Sequence, residues 1–239
     1  MKRHGLVTAA LVTFASQASA TDLGTPASDR LSAWSWTGCY LGAHAGGLWG
    51  DSDKWIPRTP GGAFEGVSLG GHSVDGIIGG VQGGCDYQAA SGVVIGFAGE
   101  YGWTNADGTH PSARETGVFY HSEVEALTSV TGRLGYAFNR AFLYVEGGAA
   151  WEQVDYRAST TMIGTAYRAS DTRSGWTIGG GSEYGFTDRL SAFIEYGYYD
   201  FGTERIRLSP QYSFLPTAFV DIEDTANVVR AGINLRFGR

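Results

Sequence analysis

The spacing between strand-like segments constrains the fold of this chain more than any other feature. After Trp36 the side chains alternate between apolar and polar or small, and we distinguish eight segments with the period of two that is typical of β-strands. Their approximate bounds are 37–50, 72–86, 92–104, 121–137, 141–156, 171–186, 190–204 and 224–238. Long and short connections alternate strictly between them. The short ones, such as Asn139-Arg140, predict antiparallel hairpins.

The long connections must therefore all emerge at one end of the sheet. They cover residues 51–71, 105–120, 157–170 and 205–223. The short connections and both termini lie at the other end. Outer-membrane barrels have this arrangement, with tight periplasmic turns and long external loops. The pattern predicts an all-β fold, an eight-stranded antiparallel up-and-down transmembrane β-barrel.

The start of the chain has the features of an export signal. Lys2 and Arg3 are followed by a short apolar stretch and by Ala18-Ser19-Ala20, the small-x-small pattern of a signal peptidase site. We interpret 1–20 as a signal peptide, 21–35 as a flexible N-terminal lead and 36–239 as the barrel. Beyond the signal no segment approaches eighteen consecutive apolar residues, so the mature chain can enter a membrane only as a barrel.

The charge balance bears on partners. Without Lys2 and Arg3 the chain has 15 basic and 24 acidic residues, a formal net charge of −9. This disfavours nucleic acid, because phosphate binding needs a surplus of cations. Lys54 is the only lysine left, whereas a soluble domain normally covers its surface with Lys and Glu.

Two barrels fit the alternation, and they differ in which face points inward. A soluble barrel buries its apolar face, whereas a membrane barrel turns that face toward lipid. Glycine dominates the polar face, which leaves room for a few charged side chains in a narrow interior. The apolar face carries aromatic residues near the strand ends, as expected for interfacial girdles. Both features favour the membrane barrel. The girdle candidates are Trp49, Trp103, Tyr136, Trp151, Trp176 and Tyr198.

Seven charged residues fall on the predicted inward face. Unpaired buried charges cost several kcal/mol each, so we expect these residues to neutralise one another in charge-assisted pairs. A polar path for small solutes is the alternative, but an eight-stranded barrel filled by such pairs leaves little space for water. We interpret the set as a structural network. Its members are Glu100, Arg133, Glu146, Glu183, Glu195, Arg230 and Arg236.

The two cysteines and the loop-side histidines are the remaining candidates for chemistry. Cys39 and Cys85 lie at the short-turn end of neighbouring predicted strands, and an even cysteine count in the oxidising periplasm favours a disulfide. Two thiols without a nearby histidine pair do not predict a metal site. His72, His110 and His121 follow no catalytic motif, so we predict no catalytic residue. Haem capture by such residues is the alternative.

Several stretches resemble the small outer-membrane β-barrel (porin-like surface antigen) family of Gram-negative bacteria. Trp36 to Gly42 (WTGCYLG) resembles the opening strand of that family, and Gly80 to Gln88 (GVQGGCDYQ) resembles the second strand. Thr131 to Phe138 (TGRLGYAF) is similar to a hairpin strand, and Gly175 to Gly202 and Asn227 to Phe237 are similar to the closing strands. The resemblance implies an outer-membrane barrel exported through the periplasm, without catalytic residues.

The chain departs from the family at two places. Cys39 replaces the usual aromatic residue, which strengthens the disulfide prediction, and Gly238-Arg239 follow the terminal aromatic Phe237. The predicted function is structural and non-catalytic: envelope integrity and surface contact. The expected partners are outer-membrane lipid and lipopolysaccharide, the barrel assembly machinery, and a host or surface ligand at the four long connections. No cofactor is expected; haem or small-ligand binding and a narrow passive pore are the alternatives.

Overall fold

The computed structural model describes residues 34–55, 68–112, 117–161, 164–212 and 218–238. Within them, eight antiparallel strands follow one another in chain order, and the last pairs with the first to close a barrel. This confirms the predicted fold class. The strands are β1 (Gly38–Trp55), β2 (Ser68–Gln88), β3 (Val93–Pro111), β4 (Val118–Phe138), β5 (Ala141–Thr160), β6 (Gly164–Thr187), β7 (Leu190–Pro210) and β8 (Ala218–Phe237).

No helix in the described part of the chain has the length and apolar character needed to cross a membrane. The predicted signal peptide lies outside the described residues, as does the predicted lead up to residue 33. The last two residues of that lead are described, and there the structure differs from the prediction of a flexible segment. Trp34 is buried under the barrel instead.

The strands extend further than the sequence predicted at the end opposite the short turns. They have 18 to 24 residues, whereas a bilayer requires about 9–11. The bounds predicted for the long connections were therefore wrong. Strand β1 continues to Trp55 and β2 begins at Ser68, both inside the range 51–71, and the ranges 105–120, 157–170 and 205–223 also contain strand residues. In β1 both faces of the extension are polar, and in β7 and β8 the apolar residues, such as Ile206 and Ile222, lie on the inward face, so the apolar face changes sides and the period of two is interrupted.

The short turns match the prediction in position and in chemistry. Asn139 lies between β4 and β5 with a φ of 57°, a left-handed conformation that asparagine tolerates. Between β6 and β7, the backbone N–H of Leu190 donates to the Thr187 hydroxyl at 3.1 Å. These tight links make neighbouring strands antiparallel.

The outward face changes character along each strand. Nearer the turns it is apolar, and Leu143, Ile178 and Ile233 are all more than half exposed. This band ends at a girdle of exposed tryptophans, Trp49, Trp103, Trp151 and Trp176. Beyond the girdle the outward face is mainly polar, with Phe119 and Phe219 as exposed aromatic exceptions. We call these polar strand ends the collar: residues 51–55, 68–75, 105–111, 118–125, 153–160, 164–174, 203–210 and 218–225.

The interior changes in the opposite sense. Inside the apolar band it holds Glu146 and Arg230, both buried, together with other charged side chains. Higher up it becomes a hydrophobic cluster that includes Leu48, Leu127 and Ile222. The membrane-facing part of the barrel is thus apolar outside and polar inside, while most of the collar has the polarity of a soluble β-barrel.

Candidate functional site: the charged layers of the barrel interior

The buried charges form three layers at successive heights inside the barrel. The lower layer is nearest the short turns, the middle layer lies within the apolar band, and the upper layer lies at the level of the collar. The lower layer contains Asp86, Arg133, Glu183 and Arg236; the middle layer contains Glu100, Glu146, Glu195 and Arg230; the upper layer contains Glu152, Arg173 and Asp224.

Two arginines and two carboxylates balance each other in the lower layer. Arg133 holds Asp86 in a bidentate pair, from Nε to Oδ1 at 2.7 Å and from Nη2 to Oδ2 at 2.5 Å. Arg236 bridges Asp86 at 2.6 Å and Glu183 at 3.0 Å. Ser191 donates a further hydrogen bond to Glu183. These side chains are at most 2% exposed, and such a layer costs little because its charges cancel.

Aromatic rings seal the barrel below this layer. Trp36 is fully buried; its backbone N–H donates to Gln88 and its indole N–H to the carbonyl of Asn139. Arg236 donates to the Trp36 carbonyl at 2.7 Å and lies 4.7 Å from its ring. Trp34 packs edge-on against Trp36. We call Trp34 and Trp36 the plug, because they close the turn end of the barrel.

The middle layer has one cation for three carboxylates. The Arg230 guanidinium contacts Glu100 and Glu195 closely and lies 3.5 Å from Glu146. Hydroxyl donors supply the remaining stabilisation: Tyr199 donates to Glu100 at 2.8 Å and Tyr144 donates to Glu195 at 2.7 Å. Removal of Arg230 would leave a concentration of buried negative charge.

The upper layer is centred on Arg173, whose side chain is fully buried. It pairs with Asp224 and lies 3.5 Å from Glu152. Its Nη2 donates to the backbone carbonyls of Gly202 at 2.6 Å and Ile222 at 3.0 Å. Because Arg173 lies on β6, its guanidinium links this strand to β5, β7 and β8.

Lys54 lies beside the upper layer, inside the collar. Its amine donates to the hydroxyls of Ser52 and Ser122, each at 3.1 Å, and lies 5.9 Å from the ring of Tyr156. Burial lowers the pKa of Lys54 from 10.5 to about 8, and attraction to Asp224 opposes that shift. The single lysine of the predicted mature chain is thus an internal residue.

The structure brings the seven sequence-predicted charges together in two groups. Arg133, Glu183 and Arg236 meet in the lower layer, and the other four form the middle layer. The sequence analysis missed Asp86, although Asp86 is four residues from the inward-facing Gln82 on β2 and therefore lies on the same face of that strand. It also missed the whole upper layer.

The two cysteines form a disulfide. Cys39 and Cys85 are direct cross-strand partners on β1 and β2, with 3.9 Å between their Cα atoms. Cys39 lies on the same face of β1 as the exposed Leu41, and Cys85 lies on the same face of β2 as the exposed Val81, so the disulfide is on the outward face near the turns. Of the three loop-side histidines, His121 lies on the outward face of the collar, with Nδ1 2.7 Å from the Thr109 hydroxyl. The side chains of His72 and His110 lie outside the described set.

Comparison with known proteins identifies the family. Residues 6–237 match the model of the outer membrane protein beta-barrel domain family. The chain belongs to this family. The matched range covers almost the entire chain, and it confirms the resemblance seen in the sequence.

The curated relatives are outer-membrane antigens. The 31 kDa outer-membrane immunogenic protein of Brucella melitensis is 29% identical over 241 residues, covering 94% of this chain and 95% of the relative. The 25 kDa outer-membrane immunogenic protein of Brucella ovis is 26% identical, covering 90% of this chain and 98% of the relative. These matches confirm the predicted outer-membrane location of this family member in a Gram-negative envelope.

Two solved structures of bacterial proteins illustrate the similarity in fold. Neisserial surface protein A has 13% sequence identity and a TM-score of 0.39, covering 84% of this chain and 98% of that one. The outer membrane protease OmpT from Escherichia coli has 10% identity and a TM-score of 0.49, covering 88% of this chain and all of that one.

Proposed function

We propose that this outer-membrane barrel is a sealed, non-catalytic structural protein that supports envelope integrity and meets the exterior through its collar. The observation that carries the proposal is the filled interior. Trp36, Leu127 and Arg173 are 0, 1 and 0% exposed at three heights along the barrel axis. Side chains therefore occupy the lumen from the turns to the collar.

The filled lumen argues against solute passage. An ion on the barrel axis would have to displace the paired guanidiniums of the lower and middle layers, and then cross the hydrophobic cluster around Leu48 and Leu127. Apart from the hydroxyls of Tyr156 and Tyr199, which already hydrogen-bond to charged side chains, that cluster is apolar and cannot replace the hydration shell of the ion, so crossing it costs several kcal/mol. A passive pore would need a continuous wet path instead.

The buried carboxylates are also poorly suited to acid–base catalysis. Both carboxylates of the lower layer are tied to guanidiniums, and those of the middle layer surround Arg230. A general acid or base must come within hydrogen-bond reach of a substrate, and these groups lie beneath packed side chains. The outward apolar band is suited to contact lipid and lipopolysaccharide, and export implies passage through the barrel assembly machinery.

Planar-bilayer recording tests the sealed state. The refolded protein should give no conductance steps, while a porin measured in the same bilayers should give clear ones. Regular steps from the wild-type protein would contradict the proposal.

Two further assays address the structural role. Deletion of the gene should raise sensitivity to detergent and EDTA, and re-expression of the wild-type chain should restore resistance. Haemin titration of the purified protein should leave the haem absorption spectrum unchanged. A saturable spectral shift would instead favour a ligand-binding barrel.

A further inference from the structure

A line of basic side chains crosses the outward face of the collar. His121 on β4 lies directly opposite Arg157 on β5, and Arg157 lies directly opposite Arg168 on β6. Arg168 is paired in register with Ser209 on β7, two residues from Arg207 on the same face. We call His121, Arg157, Arg168 and Arg207 the basic row.

The basic row holds uncompensated positive charge. Like charges directly opposite each other on antiparallel strands destabilise a sheet, so the pairing of Arg157 with Arg168 has a cost. Arg157 is partly neutralised by Glu123 at 3.2 Å and Asp155 at 3.8 Å. Arg168 and Arg207 are exposed, and neither forms an ion pair with another described residue. An external anion would relieve this repulsion.

The half of the collar on β1 to β4 is acidic apart from His121, the end of the basic row, whereas on β5 to β8 the outward arginines stand beside Asp155, Asp221 and Glu223. Asp51, Asp53, Asp75, Asp107 and Glu125 are exposed on β1 to β4. The described outward positions of the collar on these four strands include no arginine or lysine. An anionic ligand is therefore repelled by this half and directed to the basic row.

The height of the row indicates where its ligand comes from. Arg157 is six residues beyond Trp151 on β5, and Arg168 is eight residues beyond Trp176 on β6. With about 3.3 Å per residue and a tilt of about 40°, these arginines lie roughly 15–20 Å above the girdle. Interfacial tryptophans mark the lipid headgroup level. The row thus lies above the phosphates at the headgroup level.

The surroundings of the row favour a polysaccharide over a protein, because the two exposed aromatic residues near it, Phe119 on β4 and Phe219 opposite Arg207 on β8, lie at the ends of the row and not at its centre. Thr109, Ser170 and Ser209 are hydroxyl neighbours on the same face. A protein interface usually requires an apolar anchor at its centre, surrounded by a polar rim. A line of cations and hydroxyls on successive strands, about 4.8 Å apart, instead matches regularly spaced anionic groups on an extended chain.

We propose that the basic row binds an anionic polysaccharide outside the cell, with sulfate or carboxylate groups placed between neighbouring arginines. This inference names the partner for the proposed surface contact and rests on that part of the proposed function. Binding should be weakened by salt, because its main contribution is exchange of small counterions.

A labelled, sulfated heparin decasaccharide is the probe, used with the refolded protein in nanodiscs free of lipopolysaccharide. Arg168→Gln and Arg207→Gln should each weaken binding about threefold, the range for exposed charge contacts, and the double variant about tenfold. Arg189→Gln is the matched control, because Arg189 is an exposed arginine in a short turn at the opposite end. It should bind like the wild type. A neutral dextran of equal length should not bind.

Three outcomes would overturn the proposal. The first is equal binding of the decasaccharide by the wild type and the double variant, and the second is equal competition by a polyglutamate peptide of the same charge. The third is that Arg168→Gln leaves decasaccharide binding unchanged and only lowers the thermal stability of the protein in bilayers that contain lipopolysaccharide. Heat-modifiability gels verify that each variant is folded. Bilayer conductance tests the sealed barrel separately, so failure of glycan binding can be distinguished from failure of the proposed structural role.

Discussion

Replacement of Arg230 by glutamine tests how the barrel tolerates charge in its interior. Among the described residues, Arg230 is the only arginine that forms ion pairs with Glu100, Glu146 and Glu195. Glutamine keeps much of the volume and some hydrogen bonding but removes the charge. The variant would then hold three buried carboxylates without their cation.

The expected cost follows from the charge count. At least one of these three carboxylates must take up a proton, and for a glutamate of unperturbed pKa near 4.3 this costs about 3.7 kcal/mol at pH 7. Breaking a buried ion pair by removing one partner typically costs about 3–5 kcal/mol. We therefore expect Arg230→Gln to lower the free energy of unfolding by about 4 kcal/mol.

Urea unfolding in detergent micelles, followed by tryptophan fluorescence, measures this loss at two pH values. The folded variant retains a proton that the unfolded chain releases near pH 4.3, so the variant loses stability relative to wild type as the pH rises above that value. At pH 5 the deficit should be smaller than at pH 7 by about 2.7 kcal/mol.

A surface arginine provides the control. Arg205 pairs with Asp221 at 2.8 Å on the exposed face of the collar, and Arg205→Gln should cost under about 1 kcal/mol. Arg230→Gln combined with Glu195→Gln should recover part of the loss, because it removes one buried carboxylate. Equal losses for the two single variants, or a deficit for Arg230→Gln that does not change with pH, would refute the reasoning.

Three further outcomes are expected. Because burial lowers the pKa of Lys54 from 10.5 to about 8, the folded chain loses this proton at a lower pH than the unfolded chain; stability should rise between pH 8 and 10.5 by at most about 3 kcal/mol, and unfolding titrations of Lys54→Met should lack that rise. Replacing both Cys39 and Cys85, 46 residues apart, with serine should cost about 4 kcal/mol, and adding reductant to the wild type should give the same loss in urea titrations. A Cβ at Gly185 would lie 2.1 Å from an indole carbon of the plug, so Gly185→Ala should lower the unfolding midpoint and alter tryptophan emission, whereas Gly47→Ala meets open space and should change neither.

The fold could be predicted because the bilayer imposes a simple rule on each strand. Ile178 must contact lipid and Glu183, of opposite parity on the same strand, must avoid it, so alternation identified both faces. Turn chemistry fixed the hairpins in the same way, as at Asn139. Seven of the eight charges of the lower and middle layers then followed from the strand face on which they lie and from the cost of unpaired charge; Asp86 did not.

The collar could not be predicted in this way. Asp51 and Asp53 point outward into water while Ser52 and Lys54 point inward, so both faces of β1 are polar there and the pattern resembles a loop. The upper layer was missed although Glu152, Arg173 and Asp224 lie within predicted strands, because outward neighbours such as Gln153 and Thr172 are polar too and no apolar face marked the other face as inward. Trp36 begins the barrel in sequence, but two aromatic residues in an aperiodic segment carry no signal that they close it from below.

The change of polarity at the girdle fixes the depth at which the molecule sits. Asp75 is the direct cross-strand neighbour of Trp49, so the outer surface changes from apolar to polar within about one residue there. If the barrel moved deeper into the membrane, carboxylates of the collar would enter the hydrocarbon layer. If it moved outward, aliphatic side chains would lose their contact with lipid, so the free energy rises in both directions. Where the local bilayer is too thick or too thin, the lipids have to deform around the protein, because the protein itself cannot slide.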